Sequence, residues 1–314
     1  MRMESSVSAL FSRFFSSIHT TIRETAMVSK TVPKAAWVVV LTSTNNYIKG
    51  AIALAQALRM TQSLYPLVVL YTSAVTKRAI QLLKDAGCHV RPINPIHPPG
   101  KTRYVFERFV ETWTKLAVWN LEEYERVVLL DADMLPLQNM DELMMDIALP
   151  DEHHIAACHA CTCNPQKIKT YPADWYVLIY AAREMIGPIG LIVLKPSRSK
   201  FQEIISHLYR IPDLTSYRFP DQDFLNEVFE HRWIHLPYIY NALKTLSVAH
   251  RTMWKFQEVK NIHYILSNKP WDDYADDERY SAQYRLWQDV YTEAINYAKL
   301  STSDIQSALS TTTT

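Results

Sequence analysis

The segment Val127-Val-Leu-Leu-Asp-Ala-Asp-Met-Leu-Pro136 decides how this chain is read. Four apolar residues, the first two β-branched, predict a buried strand. Two acids, Asp131 and Asp133, follow at its carboxyl end with Ala132 between them. In open α/β sheets, ligands bind outside the carboxyl ends of strands. Two carboxylates placed there can approach one hard cation from neighbouring directions. Mg²⁺ and Mn²⁺ favour such oxygen ligands together with substrate phosphates. A cation so held would neutralise a diphosphate and make it a better leaving group. The same spacing also fits an acidic turn in which Asp133 merely caps the next few backbone amides. The segment alone leaves both readings open.

Outward from this strand, the pattern alternates. Upstream, Ala36 to Thr42 is a β-branched apolar run, and Ile48, Ala51, Ile52, Ala55 and Leu58 then recur at helical spacing. Pro66 opens the strand Leu67 to Tyr71, and Ala79, Leu82, Leu83 and Ala86 mark a helix with Gly87 at its C-cap position. Cys88 to Ile93 reads as a strand, and a helix carrying Trp113, Leu116 and Trp119 leads into Arg126 to Leu130. Strand–helix alternation of this kind predicts a mainly parallel sheet covered by helices. After Pro136 the alternation loosens. Short strands are expected near His154 to Cys158, Gly190 to Leu194 and Val259 to Tyr264, and helices at Arg198 to Tyr209 and Gln222 to Phe229. Tyr280, Tyr284, Trp287, Tyr291 and Ile295 predict a late amphipathic helix.

Composition narrows the function. The 314 residues suffice for one large domain, and 48% hydrophobic with 21% charged residues is ordinary for a globular protein. A net charge of +1 gives no broad field for nucleic acid or anionic membranes. No apolar run approaches the length of a membrane span. Only five glycines are present, Gly50, Gly87, Gly100, Gly187 and Gly190. A Walker-type loop and a dinucleotide fingerprint each need several within a few residues, so neither can be written here. A bound nucleotide must have its phosphates held another way, and a metal ion is the obvious substitute. Four cysteines without a secretory signal predict reduced thiols in a cytosol-like compartment. Residues 1–33 are Ser/Thr-rich, with Arg2, Arg13 and Arg23 and only two acids. They read as a disordered tail, with a mitochondrial presequence as the alternative. Residues 299–314 read as a low-complexity tail.

Several segments, in order, resemble glycosyltransferase family 8, the family of glycogenin and the plant galactinol synthases. These are Leu41-Thr-Ser-Thr-Asn-Asn-Tyr-Ile-Lys-Gly50, Pro66-Leu-Val-Val, Thr114-Lys-Leu with Trp119 and Tyr124, and Asp131-Ala-Asp133 with its sequel Leu137, Asn139, Met140, Asp141 and Leu143. Asp221-Gln-Asp-Phe-Leu-Asn226, Leu236-Pro-Tyr-Ile-Tyr-Asn241 and His263-Tyr-Ile-Leu-Ser-Asn-Lys-Pro-Trp271 complete the set. Each motif is weak alone, but the ordered set is specific, and it spans about residues 35–295. The resemblance implies a GT-A fold: one Rossmann-like nucleotide-binding α/β domain, here over residues 34–298. It also implies Mn²⁺, with Mg²⁺ as the alternative, a UDP-sugar donor, a hydroxyl acceptor and retention of the donor's anomeric configuration. By resemblance, Asp131, Asp133 and His263 hold the metal. Leu41, Thr42 and Tyr47 contact uridine, Lys115 and Ala132 the donor, and Lys269 the diphosphate. Asp221 and Gln222 flank the sugar at the reaction centre.

Three departures stand out. Pro188-Ile189-Gly190 replaces the family's Asn-Ser/Ala/Gly-Gly, so a residue with no amide side chain and no backbone donor stands where an asparagine faces the sugar. That bears on sugar placement and on activity itself. The place of glycogenin's acceptor tyrosine falls near Val248, and no tyrosine stands there, so self-glucosylation of that kind is not expected. Leu266 replaces a glycine beside the diphosphate. The segment Trp175 to Gly187 matches nothing recognisable.

Other constellations carry less. Cys158-His-Ala-Cys-Thr-Cys163 lacks the second ligand pair of a zinc site and reads as packed thiols. Trp113, Trp119, Trp175, Trp254 and Trp271 include candidates for a sugar platform, although large aromatics mostly fill cores. An active UDP-sugar transferase is therefore set against a catalytically silent nucleotide-sugar-binding protein on the same fold. A nucleotidyltransferase, the third reading, would want a Gly-rich phosphate loop. The oligomeric state is open, a homodimer included.

Overall fold

A computed structural model describes residues 33–104, 109–159, 161, 167, 190–272 and 277–310. Residues 1–32, the segment Trp175 to Gly187, Pro188, Ile189 and Cys163 lie outside the described residues. The strands are β1 Ala35–Leu41, β2 Leu67–Tyr71, β3 His89–Pro92, β4 Arg126–Leu130, β5 Met134–Pro136, β6 Ile155–Cys158, β7 Leu191–Leu194, β8 Trp233–Leu236, β9 Ala242–Leu243 and β10 Asn261–His263. The helices of eight or more residues are α1 Tyr47–Met60, α2 Lys77–Asp85, α3 Arg198–Arg210, α4 Pro220–Val228, α5 Ser281–Ala298 and α6 Thr302–Leu309.

The main sheet has seven strands in the order β3-β2-β1-β4-β7-β6-β8. It is mainly parallel. β7 alone runs against its neighbours, pairing antiparallel with β4 and β6. The apolar runs of β1 and β4 are continuous because both faces are covered. Trp37, Val39 and Leu41 of β1 and Val128 and Leu130 of β4 join one core with residues of α1, α2, α5 and α6. Ala36, Val38, Val127 and Leu129 join the other, with Trp113, Leu116, Trp119, Ile204, Leu208 and Phe224. Strands buried on two faces carry no polar alternation. Each fully buried Leu or Val contributes about 1.5–3 kcal/mol.

Thr112–Asn120 is a 3₁₀ helix rather than an α-helix. Trp113, Leu116 and Trp119 are spaced by three, so a three-residue turn stacks all of them on one buried face.

Structure and sequence pattern differ most at the end of the chain. Compositional bias predicts a tail over residues 299–314, but residues 302–309 form α6, a helix with Ile305 and Ala308 buried in the main core. Its start is a capping box: Ser301 Oγ accepts from the Asp304 amide, and the Asp304 carboxylate accepts from the Ser301 amide. The polar Thr311–Thr314 run hid this short amphipathic segment. Ser301→Ala is expected to weaken α6 by about 1 kcal/mol, read as a roughly fivefold loss of hydrogen-exchange protection across residues 302–309. Unchanged protection there would reject the cap's contribution.

Candidate active site

The carboxyl ends of β1 and β4 lie on the same edge of the sheet, because the two strands are parallel neighbours. Pairing of β4 with β7 runs one step beyond the strand, since the Asp131 amide donates to the Gly190 carbonyl at 3.0 Å. The turn Asp131–Asp133 then passes into β5. A second sheet, β5-β10-β9, starts there and brings a distant part of the chain back. His263 of β10 pairs with Met134 of β5, and the Tyr264 amide donates to the Asp133 carbonyl at 2.9 Å. A residue 130 positions from Asp133 is thereby fixed beside it.

One ligand atom from each of Asp131, Asp133 and His263 lies within 4.8 Å of the others. His263 Nε2 is 3.2 Å from Asp133 Oδ1 and 3.7 Å from Asp131 Oδ2. On the far side of the ring, Nδ1 is 2.8 Å from Asn241 Oδ1. A proton on Nδ1 donated to Asn241 leaves the Nε2 lone pair facing the two carboxylates. Three electron-rich atoms then converge, which calls for a cation, and a ligand histidine whose other nitrogen is engaged is the usual arrangement. The donor set of two carboxylates and one imidazole fits Mn²⁺ or Mg²⁺. Among the described residues, no other cluster of three such groups occurs.

Two lysines complete the site. Lys115 bridges Asp131 Oδ1 at 2.7 Å and Asp221 Oδ2 at 3.2 Å. Burial opposes its charge, but the two carboxylates raise its pKa well above the ordinary lysine value. Lys269 donates from Nζ to Asp133 Oδ2 and, at 2.6 Å, to the Tyr264 carbonyl. It is 9% exposed, a buried ammonium rather than a solvated loop lysine. Burial alone would push the Asp133 carboxyl up, yet the Lys269 ammonium beside it holds it far below the usual carboxylate range. The expected residues Lys115, Asp131, Asp133, Asp221, His263 and Lys269 are thus one connected charge network.

The remaining expected residues surround it. Leu41 closes β1, and its carbonyl accepts from the Thr72 amide at 3.1 Å, while the Thr42 carbonyl accepts from Thr72 Oγ1 at 2.7 Å. Tyr47 opens α1, 5.1 Å edge-on from Trp271, with Lys269 Nζ 5.9 Å from its ring. Gln222 is buried in the first turn of α4 beside Asp221. Trp271 itself is 8% exposed and packs on Trp287, so it serves the core, as do Trp113 and Trp119. Asn139 and Asp141, part of the recognised motif, are braces: Asn139 Nδ2 donates to the Thr61 carbonyl, and Asp141 accepts from Ser63 Oγ and the Leu64 amide. They tie the sequel of the acidic turn to the end of α1.

Asn241, Gly50 and Gly190 lie in segments already matched to the family but with no role assigned to them, and Lys244 carries no sequence signal at all. Gly190 has φ +75, and a Cβ there would sit 2.6 Å from the His263 ring. In the sequence it is the glycine that closes Pro188-Ile189-Gly190, the one position of that segment that keeps the family's residue. Lys244 follows β9 and is 1% exposed; burial, with Lys269 nearby, pulls its pKa down to about 8. The thiols of Cys88 and Cys158 are free, and burial pushes each up to about 12. Cys158 is packed, as expected for its segment, while Cys161 is half-buried with Sγ 3.5 Å from His250 Nε2.

A mainly parallel sheet with an acidic turn at its carboxyl edge that could hold a cation, and lysines around it, is the arrangement of the GT-A class of glycosyltransferase. The family model for glycosyl transferase family 8 matches residues 38–275, so the chain belongs to that family, among its glycogenin- and galactinol-synthase-like members. It is 30% identical to galactinol synthase 1 of Ajuga reptans over 86% of this chain and 85% of the relative. It is 29% identical to galactinol synthase 4 of Arabidopsis thaliana over 83% and 82%. Among solved structures it is similar to the galactosyltransferase LgtC in complex with donor and acceptor sugar analogues, with a TM-score of 0.53 and 16% identity over 82% of this chain and 95% of that one. The protein is a glycosyltransferase, and its reaction uses a nucleotide-sugar donor and a hydroxyl acceptor. No described helix is long and apolar enough to cross a membrane.

Proposed function

We propose that the protein transfers a hexosyl group from UDP-glucose or UDP-galactose to a hydroxyl acceptor, with retention of the anomeric configuration. The galactinol synthase relatives favour galactose as the sugar. The observation that carries the reading is the convergence of Asp131, Asp133 and His263 within 4.8 Å, ringed by Lys115 and Lys269. These three residues would hold Mn²⁺, or Mg²⁺ in its place. When bound, the cation supplies charge neutralisation to the donor diphosphate.

The chain's own residues account for the rest. Tyr47, Leu41 and Thr42 receive the uridine, and the Tyr47 ring offers a face to the base. Lys269 meets the diphosphate and stabilises the charge that grows as the anomeric C–O bond breaks. The diphosphate leaves with the bonding pair, the acceptor oxygen bonds to the anomeric carbon, and the hydroxyl proton is released. Asp221, held by Lys115, and Gln222 flank the anomeric centre. Asp221 acts there electrostatically or as nucleophile. The acceptor is a polyol, oligosaccharide or protein hydroxyl other than a glycogenin-type tyrosine. The free thiols suit a reducing, cytosol-like compartment.

UDP release from a panel of UDP-sugars, with Mn²⁺ or with EDTA, tests this reading. Mn²⁺-dependent release from one donor names that donor and supports transfer. UDP binding without turnover of any donor, even with polyol and sugar acceptors supplied, would favour the silent binding protein.

A further inference from the structure

We propose that Lys244 is a positioning residue for the donor diphosphate, acting through the loop between His263 and Lys269; this rests on the UDP-sugar reading above. Lys244 Nζ donates to the Ser267 carbonyl at 3.0 Å, the Asn268 carbonyl at 2.8 Å and Tyr284 Oη at 3.0 Å. Tyr284 Oη in turn donates to the Asn268 carbonyl at 2.7 Å. The rings of Tyr280 and Tyr284 lie 5.5 and 5.2 Å from the ammonium. Among the described residues no carboxylate hydrogen-bonds Lys244; Asp133, Asp277 and Asp272 favour its charge only from farther away, against the larger effects of burial and Lys269. A buried ammonium held only by neutral acceptors is costly, and a methionine would fill the same space without that cost. What the charge achieves is local: two of its three acceptors are successive carbonyls of one loop.

That loop needs holding. Leu266 and Asn268 both have left-handed backbones, with φ +67 and +57, a region that disfavours side-chain-bearing residues. The amides from Ile265 to Asn268 donate to no acceptor among the described residues. Carbonyls drawn to a buried cation, unused amide donors and left-handed residues at alternate positions are the ingredients of a backbone anion site. The loop also ends on Lys269, whose Nζ reaches Asp133. Lys244 thus shapes the turn beside the diphosphate and touches neither substrate nor metal.

Lys244→Met tests this. Titration of UDP in the presence of Mn²⁺ is expected to show at least about a tenfold loss of affinity, whereas Mn²⁺ alone binds within about twofold of wild type. Adding Leu266→Gly to Lys244→Met is expected to restore at least about threefold of that loss, because glycine adopts the left-handed backbone without a clamp. If Lys244→Met does not fold, Tyr284→Phe, which removes one hook on the Asn268 carbonyl, takes its place and is expected to weaken UDP about threefold. Wild-type affinity for UDP in whichever variant is folded would overturn the proposal. Wild-type protein that ignores UDP altogether would overturn the UDP-sugar reading and this inference with it. A parallel loss of UDP and Mn²⁺ affinity would also overturn it, reducing Lys244 to a general structural support.

Discussion

Asp133→Asn is expected to lower Mn²⁺ affinity by at least about a hundredfold and to abolish metal-dependent UDP binding. Losing an outer partner of a metal ligand already costs about 10–100-fold, and loss of a charged ligand costs more. Asparagine is the informative substitution because of Lys269. The Lys269 ammonium is buried and donates to Asp133 Oδ2. Alanine would strand that charge, at a cost of about 3–5 kcal/mol in stability, and would confuse a lost ligand with a weakened fold. Asparagine keeps an oxygen for Lys269 while removing the negative charge the cation needs. Calorimetric titration with Mn²⁺, then with UDP, reads the effect, and a thermal melt shows whether the fold survives. Mn²⁺ binding at wild-type strength in a folded variant would remove Asp133 from the ligand set.

Gly50→Ala is expected to destabilise the protein by about 1–2 kcal/mol and to weaken metal binding with it. Helix propensity alone argues the reverse, since alanine in mid-helix gains about 1 kcal/mol over glycine. The packing decides the sign. A Cβ on Gly50 would lie 2.1 Å from the Ala132 carbonyl oxygen and 2.9 Å from the Trp271 ring. The carbonyl is backbone and cannot swing aside as a flexible side chain could. Forced overpacking costs about 1–3 kcal/mol and sometimes more, so it outweighs propensity. Ala132 sits between the two aspartates, so a displaced carbonyl moves both of them. A lowered melting temperature together with weaker Mn²⁺ binding is the expected pair of results. A variant as stable as wild type would show that α1 can withdraw from the turn without harm.

Much of this was legible in the sequence, for identifiable reasons. β1, β2 and β4 announce themselves as unbroken apolar runs because helices cover both faces of the sheet. α1, α3 and α5 carry helical periodicity. The acidic pair stood out because a polar turn directly follows a buried strand. β5 and β9 are three and two residues long, too short for any period, so the small sheet that delivers His263 was not readable from pattern. Resemblance, not periodicity, pointed to His263. The 3₁₀ geometry of Thr112–Asn120 was written in its spacing of three, which a helix template blurs. Lys244 was invisible for a different reason: nothing local distinguishes a buried lysine from a solvated one until Ser267, Asn268 and Tyr284 close around it.

The seven-stranded sheet is complete in sequence once β8 ends at Leu236, yet His263 arrives only with β10. A ribosome could therefore have released every strand of the large sheet while the acidic turn still lacked the histidine proposed as its third ligand. A nascent chain at that stage would carry the two aspartates and Lys115, with His263 and Lys269 still to be made, and no competent metal centre. If Asp131, Asp133 and His263 hold the cation as proposed, its capture would be a late event in the life of each molecule rather than a seed for its folding.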